Sequence, residues 1–424
     1  MTILVGWMIA GIILKGPTDW QVAMNDGSSI QVYITNTLLI HQQFLNYEHS
    51  LGSLANMRSR SLSMGQMLKV LEQRRALEPA FPSSESTKPD QDLPSESNYY
   101  RFCNKILASI GSPFFIIIYW SGIFVWLGFG PSLHWSNFWQ LVINTATAVE
   151  LTFTTVFLQH IRRRQMVYND DYMKIIIAAD ERILEKLSLL SGTRPSRVAV
   201  VIPKPPMNKA ERFVDYYAAV LGGLPGMTAF VVVITLWLAV GSLMHWSSNW
   251  WLIIGTYTGL ISFIDEFVLR NIQIRDNDYI FAQFEQINDI DNDNLRTLQV
   301  SPPQPPAERR PSLFHRIIEV FIFAFSRWEA VIASFVATVA MLAVATGMMW
   351  NETGQLICNT PTMIIEGFLM VILIHGQRRY YNMRQGLLSR ALLQRQSLLN
   401  RLESVRPVFE ENNKSVVIQD SVSV

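Results

Sequence analysis

Trp126-Leu-Gly-Phe-Gly130-Pro-Ser-Leu-His134-Trp135-Ser136-Asn-Phe-Trp139 is matched, at one constant offset and without gaps, by Trp237-Leu-Ala-Val-Gly241-Ser-Leu-Met-His245-Trp246-Ser247-Ser-Asn-Trp250. Each copy joins two apolar runs through a loop short enough to make only a hairpin turn. Trp7-x3-Gly11 and Trp20 set the same frame near the start of the chain. Extending the frame outward aligns Asn144 with Asn25 and Asn359, and aligns Arg101, Arg212 and Arg316 as the openings of the last three units. Self-similarity at a fixed period signals tandem units, here four of about 110 residues each. Each unit reads as an amphipathic lead-in, apolar helix one, short loop, helix two, charged helix and linker. The units fall at 1–97, 98–209, 210–312 and 313–404, followed by a tail over 405–424 that is expected to be disordered.

Composition sets the solvent. Apolar residues make up 49% of the 424 and charged residues only 16%, against roughly 25% charged in soluble domains. Lys+Arg 35 against Asp+Glu 34 leaves a net charge of +1, which disfavours a nucleic-acid partner. Two cysteines exclude a disulfide-rich secreted scaffold. The apolar residues lie in runs of about 20, the length that spans a bilayer. The fold class expected is all-α and polytopic, with the lipid bilayer as its surroundings.

Six runs read as spans: Pro113–Gly130, Trp139–Gln159, Leu224–Leu243, Trp250–Leu269, Trp328–Met349 and Gln355–Ile374. Ser28–Leu45 is a more polar seventh, and Met1–Leu14 a short eighth. The first run lacks a basic n-region and a small-residue cleavage site, so it does not read as a signal peptide. The expectation is that the first unit has lost its lead-in and half of helix one. The loops Pro131–Phe138, Ser242–Asn249 and Trp350–Gly354 carry no Lys or Arg, whereas Arg162, Arg163, Arg164, Arg270, Arg378 and Arg379 crowd the opposite ends. The positive-inside rule then puts the loops outside and the termini and long linkers in the cytosol. Trp135, Trp139, Trp246, Trp250, Trp251 and Trp350 read as an interfacial belt. The linkers are expected at 78–97, 191–209 and 299–312.

Ionisable residues in a span are functional candidates by default. Helix two carries them (Glu150, Asp265, Glu266, Glu366) and helix one essentially none, so helix two should face the interior. The frame stacks these residues in layers. One holds Asn25, Asn144, Gly255 and Asn359, and the next begins with Asp26. A hydroxyl layer follows: Ser28, Thr147, Thr258 and Thr362. Then come Gln31 with Glu150, Glu366 one position on, and Thr154 with Asp265. A leucine layer closes the stack: Leu39, Leu158, Leu269 and Leu373. At roughly 100° per residue, Glu150, Asp265 and Glu366 should converge on one axis, with Glu266 turned aside to pair with Arg270. Oxygen ligands there suit a divalent cation. The hydroxyls serve equally as small interhelical residues. The layer His41, His160, Asn271 and His375 looks like a ligand ring but sits about 140° off the axis, where interfacial histidines are also ordinary. No Walker loop, dinucleotide glycine motif or Cys/His zinc spacing is present, so no enzyme and no bound cofactor are expected.

Gly111-Ser112-Pro113, the Trp-rich loop, Asn144-Thr-Ala-Thr-Ala-Val-Glu150 running to Val156-Phe-Leu-Gln159, and Asn359-Thr-Pro-Thr-Met-Ile-Ile-Glu366 resemble the low-affinity iron permease family. The tandem, long-linkered form is similar to its fungal plasma-membrane Fe(II) permeases, which also admit zinc and copper. The resemblance implies the metal's identity, which oxygen ligands alone leave open among iron, zinc, manganese and calcium. The function expected is low-affinity uptake of a divalent metal ion along the second helices. The competing readings are a non-transporting membrane scaffold or sensor, and a less selective cation channel.

Overall fold

The structure is a computed structural model that describes all residues except Met1, 15–17, 74–97, 195, 197, 304–312 and 405–424. The tail and the 78–97 linker, and most of the 299–312 linker, lie outside the described residues. Among the described residues every regular element is a helix: α1 (Thr2–Leu14), α2 (Thr18–Gln73), α3 (Asn98–Ile110), α4 (Pro113–Gly128), α5 (Asn137–Ser191), α6 (Lys209–Leu221), α7 (Leu224–Gly241), α8 (Ser248–Thr297), α9 (Leu313–Ala324), α10 (Trp328–Gly347) and α11 (Glu352–Glu403). This is an all-α polytopic membrane protein. By length and composition α5, α7, α8, α10 and α11 each suffice to cross a membrane, and α3 with α4, bent by 52°, makes a sixth candidate. The sequence reading expects eight. α2 is the polar exception, and its Asn25, Asp26, Ser28, Ser29, Asn36 and Thr37 are all buried.

Helix two and the charged helix after it are one continuous rod in every unit. α2, α5, α8 and α11 run 56, 55, 50 and 52 residues, roughly 75–84 Å at 1.5 Å per residue, more than twice the ~30 Å hydrocarbon thickness. Each of the last three starts on a side-chain cap. Ser136 and Ser247 accept from the backbone N–H of Trp139 and Trp250, and Asn351 accepts from Gly354 N at 2.7 Å. The loops aim these caps by one repeated device, two successive left-handed residues: His134–Trp135, His245–Trp246 and Met349–Trp350. Such a backbone costs about 1–2 kcal/mol per non-glycine residue. It is held by Trp135 N→Gly130 O, Trp246 N→Gly241 O and Trp350 N→Ala345 O at 2.8–3.0 Å. A Cβ on Gly130 or Gly241 would stand 2.4 or 2.5 Å from the ring of Trp135 or Trp246, which explains the glycine of Trp-x3-Gly.

The conserved spacing of the outer tryptophans within the repeat has a local cause. Trp126 Nε1 donates to Trp139 O and Trp139 Nε1 to Trp126 O, both at 3.0 Å, with the rings stacked 3.8 Å apart. Trp237 and Trp250 repeat this at 2.9 and 2.8 Å. These reciprocal bonds clasp helix one to helix two. Trp139 and Trp250 are 6% and 1% exposed, so they belong to the clasps and not to an interfacial belt. The indole N–H must be satisfied when buried, and a partner on the same hairpin does it.

The four rods pack in a ring. α2 contacts α5 and α8, and α11 contacts α5 and α8, so the order around the ring is α2, α5, α11, α8. The first helices lie outside: 83% of the most apolar window of α8 is buried, against 17% for α7 and 22% for α10. The outer helices α4, α7 and α10 each bridge their own rod and the next around the ring. α4 clasps α5 and reaches α11, where Tyr119 Oη donates to Ile364 O at 2.6 Å. α7 clasps α8 and stacks Phe230 on Tyr33 of α2. The elbow between lead-in and helix one is latched to that next rod. His375 on α11 donates to Gly111 O at 2.6 Å, Asn271 on α8 donates to Ser326 O at 2.7 Å, and the Gly222 elbow packs so tightly on α2 that a Cβ would meet Ile40 at 2.8 Å.

Beyond the apolar half the rods form a second four-helix bundle. One polar layer crosses it, with one residue from each rod at the same repeat position: Ser61, Asp180, Asp291 and Arg395. Arg395 donates from Nε to Asp180 at 3.0 Å, from one terminal nitrogen to Asp291, and from the other to Ser61 Oγ at 2.9 Å. All of these ion-paired side chains are fully buried. Apolar clusters flank this layer, with Met57, Ile176, Ile287 and Ala391 on one side and Met64, Ile183, Leu295 and Leu398 on the other. The linker after α5 is laid along the α2–α8 groove, where Ser63 Oγ donates to Ser196 O and Tyr279 Oη bonds Pro203 O.

Arg395→Ala would strand two buried carboxylates, a change that typically costs about 3–5 kcal/mol. The thermal midpoint of the detergent-solubilised chain should fall sharply, whereas Arg395→Leu with Asp180→Leu and Asp291→Leu should restore it. A single-variant midpoint equal to wild type would refute the assignment. Burial pushes the Asp180 carboxyl up to about 6, against the pull of Arg395, because one guanidinium serves two acids. A raised folded-state pKa makes the folded chain bind the extra proton, so stability from this layer falls as pH rises from about 4 to about 6. Asp180→Asn should remove that fall from the pH dependence of the midpoint.

Candidate metal path

The ring interior carries polar atoms with no protein partner. Asn25, Asn144 and Asn359 are 0–2% exposed, and neither amide atom of any of them is hydrogen-bonded; the same holds for both carboxylate oxygens of Asp26. A buried apolar cluster of Val22, Leu141, Leu252 and Leu356 stands between this layer and the loops. Gly255 leaves the fourth place in the layer without a side chain, and Asp26 fills it: a Cβ there would stand 2.3 Å from Asp26 Oδ1 and 3.9 Å from Asn359 Nδ2. Buried polar groups are almost always paired, so a cluster of idle oxygens on four packed helices marks a place for an ion or water. Asn25 was visible in the repeat frame, yet only burial identifies it as a full member of this layer.

One turn along, the hydroxyl layer is buried as well. Thr147, Thr258 and Thr362 each donate back to the carbonyl four residues earlier, at 2.9, 2.7 and 3.1 Å. With the proton spent on the helix, the oxygen's lone pairs are left for an electropositive guest. Ser28 is the 5% exposed member on α2. Thr154 donates in the same way to Glu150 O at 2.7 Å, and Gln31 Nε2 donates to Thr35 and Thr155.

Glu366 lies within electrostatic reach of Glu266, Asp265 and Glu150, but the four side chains take different directions. Glu150 lies in the α5–α11 groove beneath α4. A Cβ on Gly367 of α11 would meet both Glu150 Oε2 and Tyr119 Oη at 2.6 Å. Glu366 is 2% exposed on the inner face of α11 and within electrostatic reach of Glu150. Asp265 turns toward the lead-in helix α6, where Tyr217 Oη donates to its Oδ1 at 3.1 Å. Glu266 is the reverse correction. Arg270 bonds Ser326 Oγ and Gln273 instead of pairing with it. Glu266 keeps both oxygens unpartnered and sits within reach of Glu150 and Glu366. The physical reason is a partner distant in sequence: Tyr217 on α6 offers Asp265 a donor, which an angular count along one helix omits. Among the described residues no three His, Cys, Asp or Glu side chains gather as a metal cage.

The histidine layer is no ligand ring. His375 is committed to the Gly111 elbow, His160 lies 3.5 Å from Tyr99, and His41 is exposed. Elbow latching at the perimeter separates them. Leu39, Leu158, Leu269 and Leu373 are all 0% exposed and packed in one core.

The description "Low affinity iron permease" belongs to the family model that matches residues 99–187, 210–300 and 314–400. The low-affinity iron/zinc ion transport protein of Schizosaccharomyces pombe is 38% identical over 89% of this chain and 65% of its own length, so this chain spans slightly under two thirds of it. The low-affinity Fe(2+) transport protein of Saccharomyces cerevisiae is 31% identical over 96% of this chain and 80% of its own length. No solved structure matches the chain.

Gly255→Ala forces its methyl into Asp26, an overpacking that should cost about 1–3 kcal/mol. Adding Asp26→Ser empties the space, so the double variant should be more stable than Gly255→Ala alone. Strict additivity of the two changes in thermal unfolding would show that the contact is absent.

Proposed function

The chain belongs to the low-affinity iron permease family, and from that premise we propose that it is a divalent-metal permease of the plasma membrane, carrying Fe(II) first and admitting zinc and copper. The observation that supports this best is the column of unpartnered oxygens inside the ring. The proposed route runs from the loop side, taken as the outside, past Asn25, Asn144, Asn359 and Asp26. It then passes the hydroxyls of Ser28, Thr147, Thr258 and Thr362 and reaches Glu366, Glu266 and Glu150. Asp265, with Gln31 and Thr154, tunes the field from the neighbouring grooves. His160 and His375 are left to the scaffold. The long linkers and termini lie in the cytosol, and the four units are divided as the repeat frame divides them.

Amide and hydroxyl oxygens replace part of the hydration shell of a hard or borderline cation. Their dipoles are weaker than full charges, so the ion binds loosely and can leave, as conduction requires. The carboxylates one to two turns further in add the negative field that draws in a doubly charged ion and repels anions. The closed leucine layer holds the ion back until the rods part. A scaffold or sensor would have no use for buried carboxylates without partners, since each is costly in a membrane. A monovalent channel would need no net charge of this size.

Glu150→Gln and Glu366→Gln keep shape and remove charge. Uptake of Fe(II) by cells or proteoliposomes should fall more than tenfold in each, with delivery to the membrane unchanged. The double variant should lose less than the two single losses combined if one ion touches both groups. Normal uptake by a delivered double variant would leave the scaffold reading standing. Inhibition of Fe(II) flux by potassium as strongly as by zinc would favour the monovalent channel.

A further inference from the structure

Past the leucine layer the rods separate around a cavity of about 90 Å³ that opens toward solvent. Its roof is formed by Gln43, Arg162 and Gln377, and their repeat equivalent Gln273 donates to Gln377 Oε1 at 2.8 Å. Arg162 is 3% exposed and spends Nε on Gln377 Oε1 at 3.1 Å. Both of its terminal nitrogens are buried and bond nothing, and Gln165 Nε2 and Tyr47 Oη beside it are likewise unpartnered. Lower on the wall stands a second guanidinium, Arg384, tied to Ser50 Oγ. The one carboxylate among the described lining residues is Asp170, which faces His49 at 3.3 Å.

Glu266 lies within electrostatic reach of Arg162 and Asp170 within reach of Arg384, but neither carboxylate bonds a guanidinium, so two guanidiniums, an amide N–H and a phenol O–H leave the chamber rich in idle donors. This is the wrong chemistry to hold a bare divalent cation. It matches an oxyanion, whose several oxygens accept from guanidinium forks in charge-assisted bonds. A buried guanidinium with two idle nitrogens is costly unless something charged faces it. We propose that this cavity binds a phosphate group, with Arg162 as its deepest ligand and Arg384 as its second. Glu266 of the proposed metal path lies within electrostatic reach of Arg162. If the chain transports metal as read above, the bound anion would offset the positive charge of Arg162 beyond the leucine layer.

The test uses the full chain purified in detergent and titrated with inorganic phosphate by calorimetry. Saturable binding of one phosphate per chain is expected. Affinity should fall at least tenfold in Arg162→Gln, fall in Arg384→Gln, fall less in Arg162→Lys, and stay unchanged in Glu150→Gln. Phosphate should raise the thermal midpoint of wild type but not of Arg162→Gln. Native mass spectrometry of the same preparation tells the source: a retained phospholipid that Arg162→Gln releases makes the phosphate a lipid headgroup. If Arg162→Gln does not fold, Arg384→Gln carries both measurements. Neither phosphate binding nor an arginine-dependent phospholipid, or binding that is unchanged in both arginine variants, would overturn the proposal. The result stands or falls whatever the metal uptake of Glu150→Gln turns out to be.

Discussion

A polar side chain that faces hydrocarbon has no partner to replace water, and this one constraint orders the molecule. Each unit holds a helix with almost no polar residues and a helix rich in them. The only arrangement that shelters the second is a ring of second helices jacketed by the first. The apolar windows of α7 and α10 are mostly open to lipid while those of α8 and α11 are mostly buried. The bilayer acts as the sorting force, as it does wherever backbone and side-chain polar groups must be satisfied inside the protein.

The jacket also fixes the ring. Because α4 clasps α5 and touches α11, and α7 clasps α8 and touches α2, each of these outer helices staples two adjacent rods. The elbow latches at Gly111, Gly222 and Ser326 repeat the staple one level down. The polar layer of Arg395, Asp180, Asp291 and Ser61 repeats it again in the extension. A buried ion cluster is weak as a source of stability but effective at setting register and partner choice among otherwise similar apolar helices. Four nearly equivalent rods need such a device, since slipping one of them by a heptad would keep most of the apolar contacts.

Near-symmetry is broken where chemistry is placed. Three asparagines and one glycine share a layer, and an aspartate from the neighbouring position occupies the glycine's space. The acids stand at different heights on different rods, and beneath the leucine layer one of four equivalent positions is arginine while the others are glutamine. A symmetric ring of four carboxylates would bind a divalent ion tightly. Distributing amides, hydroxyls and a few acids along the depth keeps each contact weak.

The repeat frame was legible in the chain alone because it depends on local chemistry: the Trp-x3-Gly hairpin, the Ser or Asn cap and the 20-residue apolar run act within a few turns. That helix two is the inner helix was legible for the same reason, since it alone carries Asn144, Glu150 and their counterparts. The order α2, α5, α11, α8 was not, because equivalent units carry equivalent faces and only the sum of long-range packing distinguishes the possible orders. Nor was the turning of Asp265 toward Tyr217, which depends on a contact between two helices that a count along one helix omits. The clasping role of Trp139 and Trp250, the elbow role of His375 and the idle guanidinium nitrogens of Arg162 became visible only when residues far apart in sequence were brought together. Sequence periodicity decides which face of a helix is polar, and tertiary packing decides which polar groups meet.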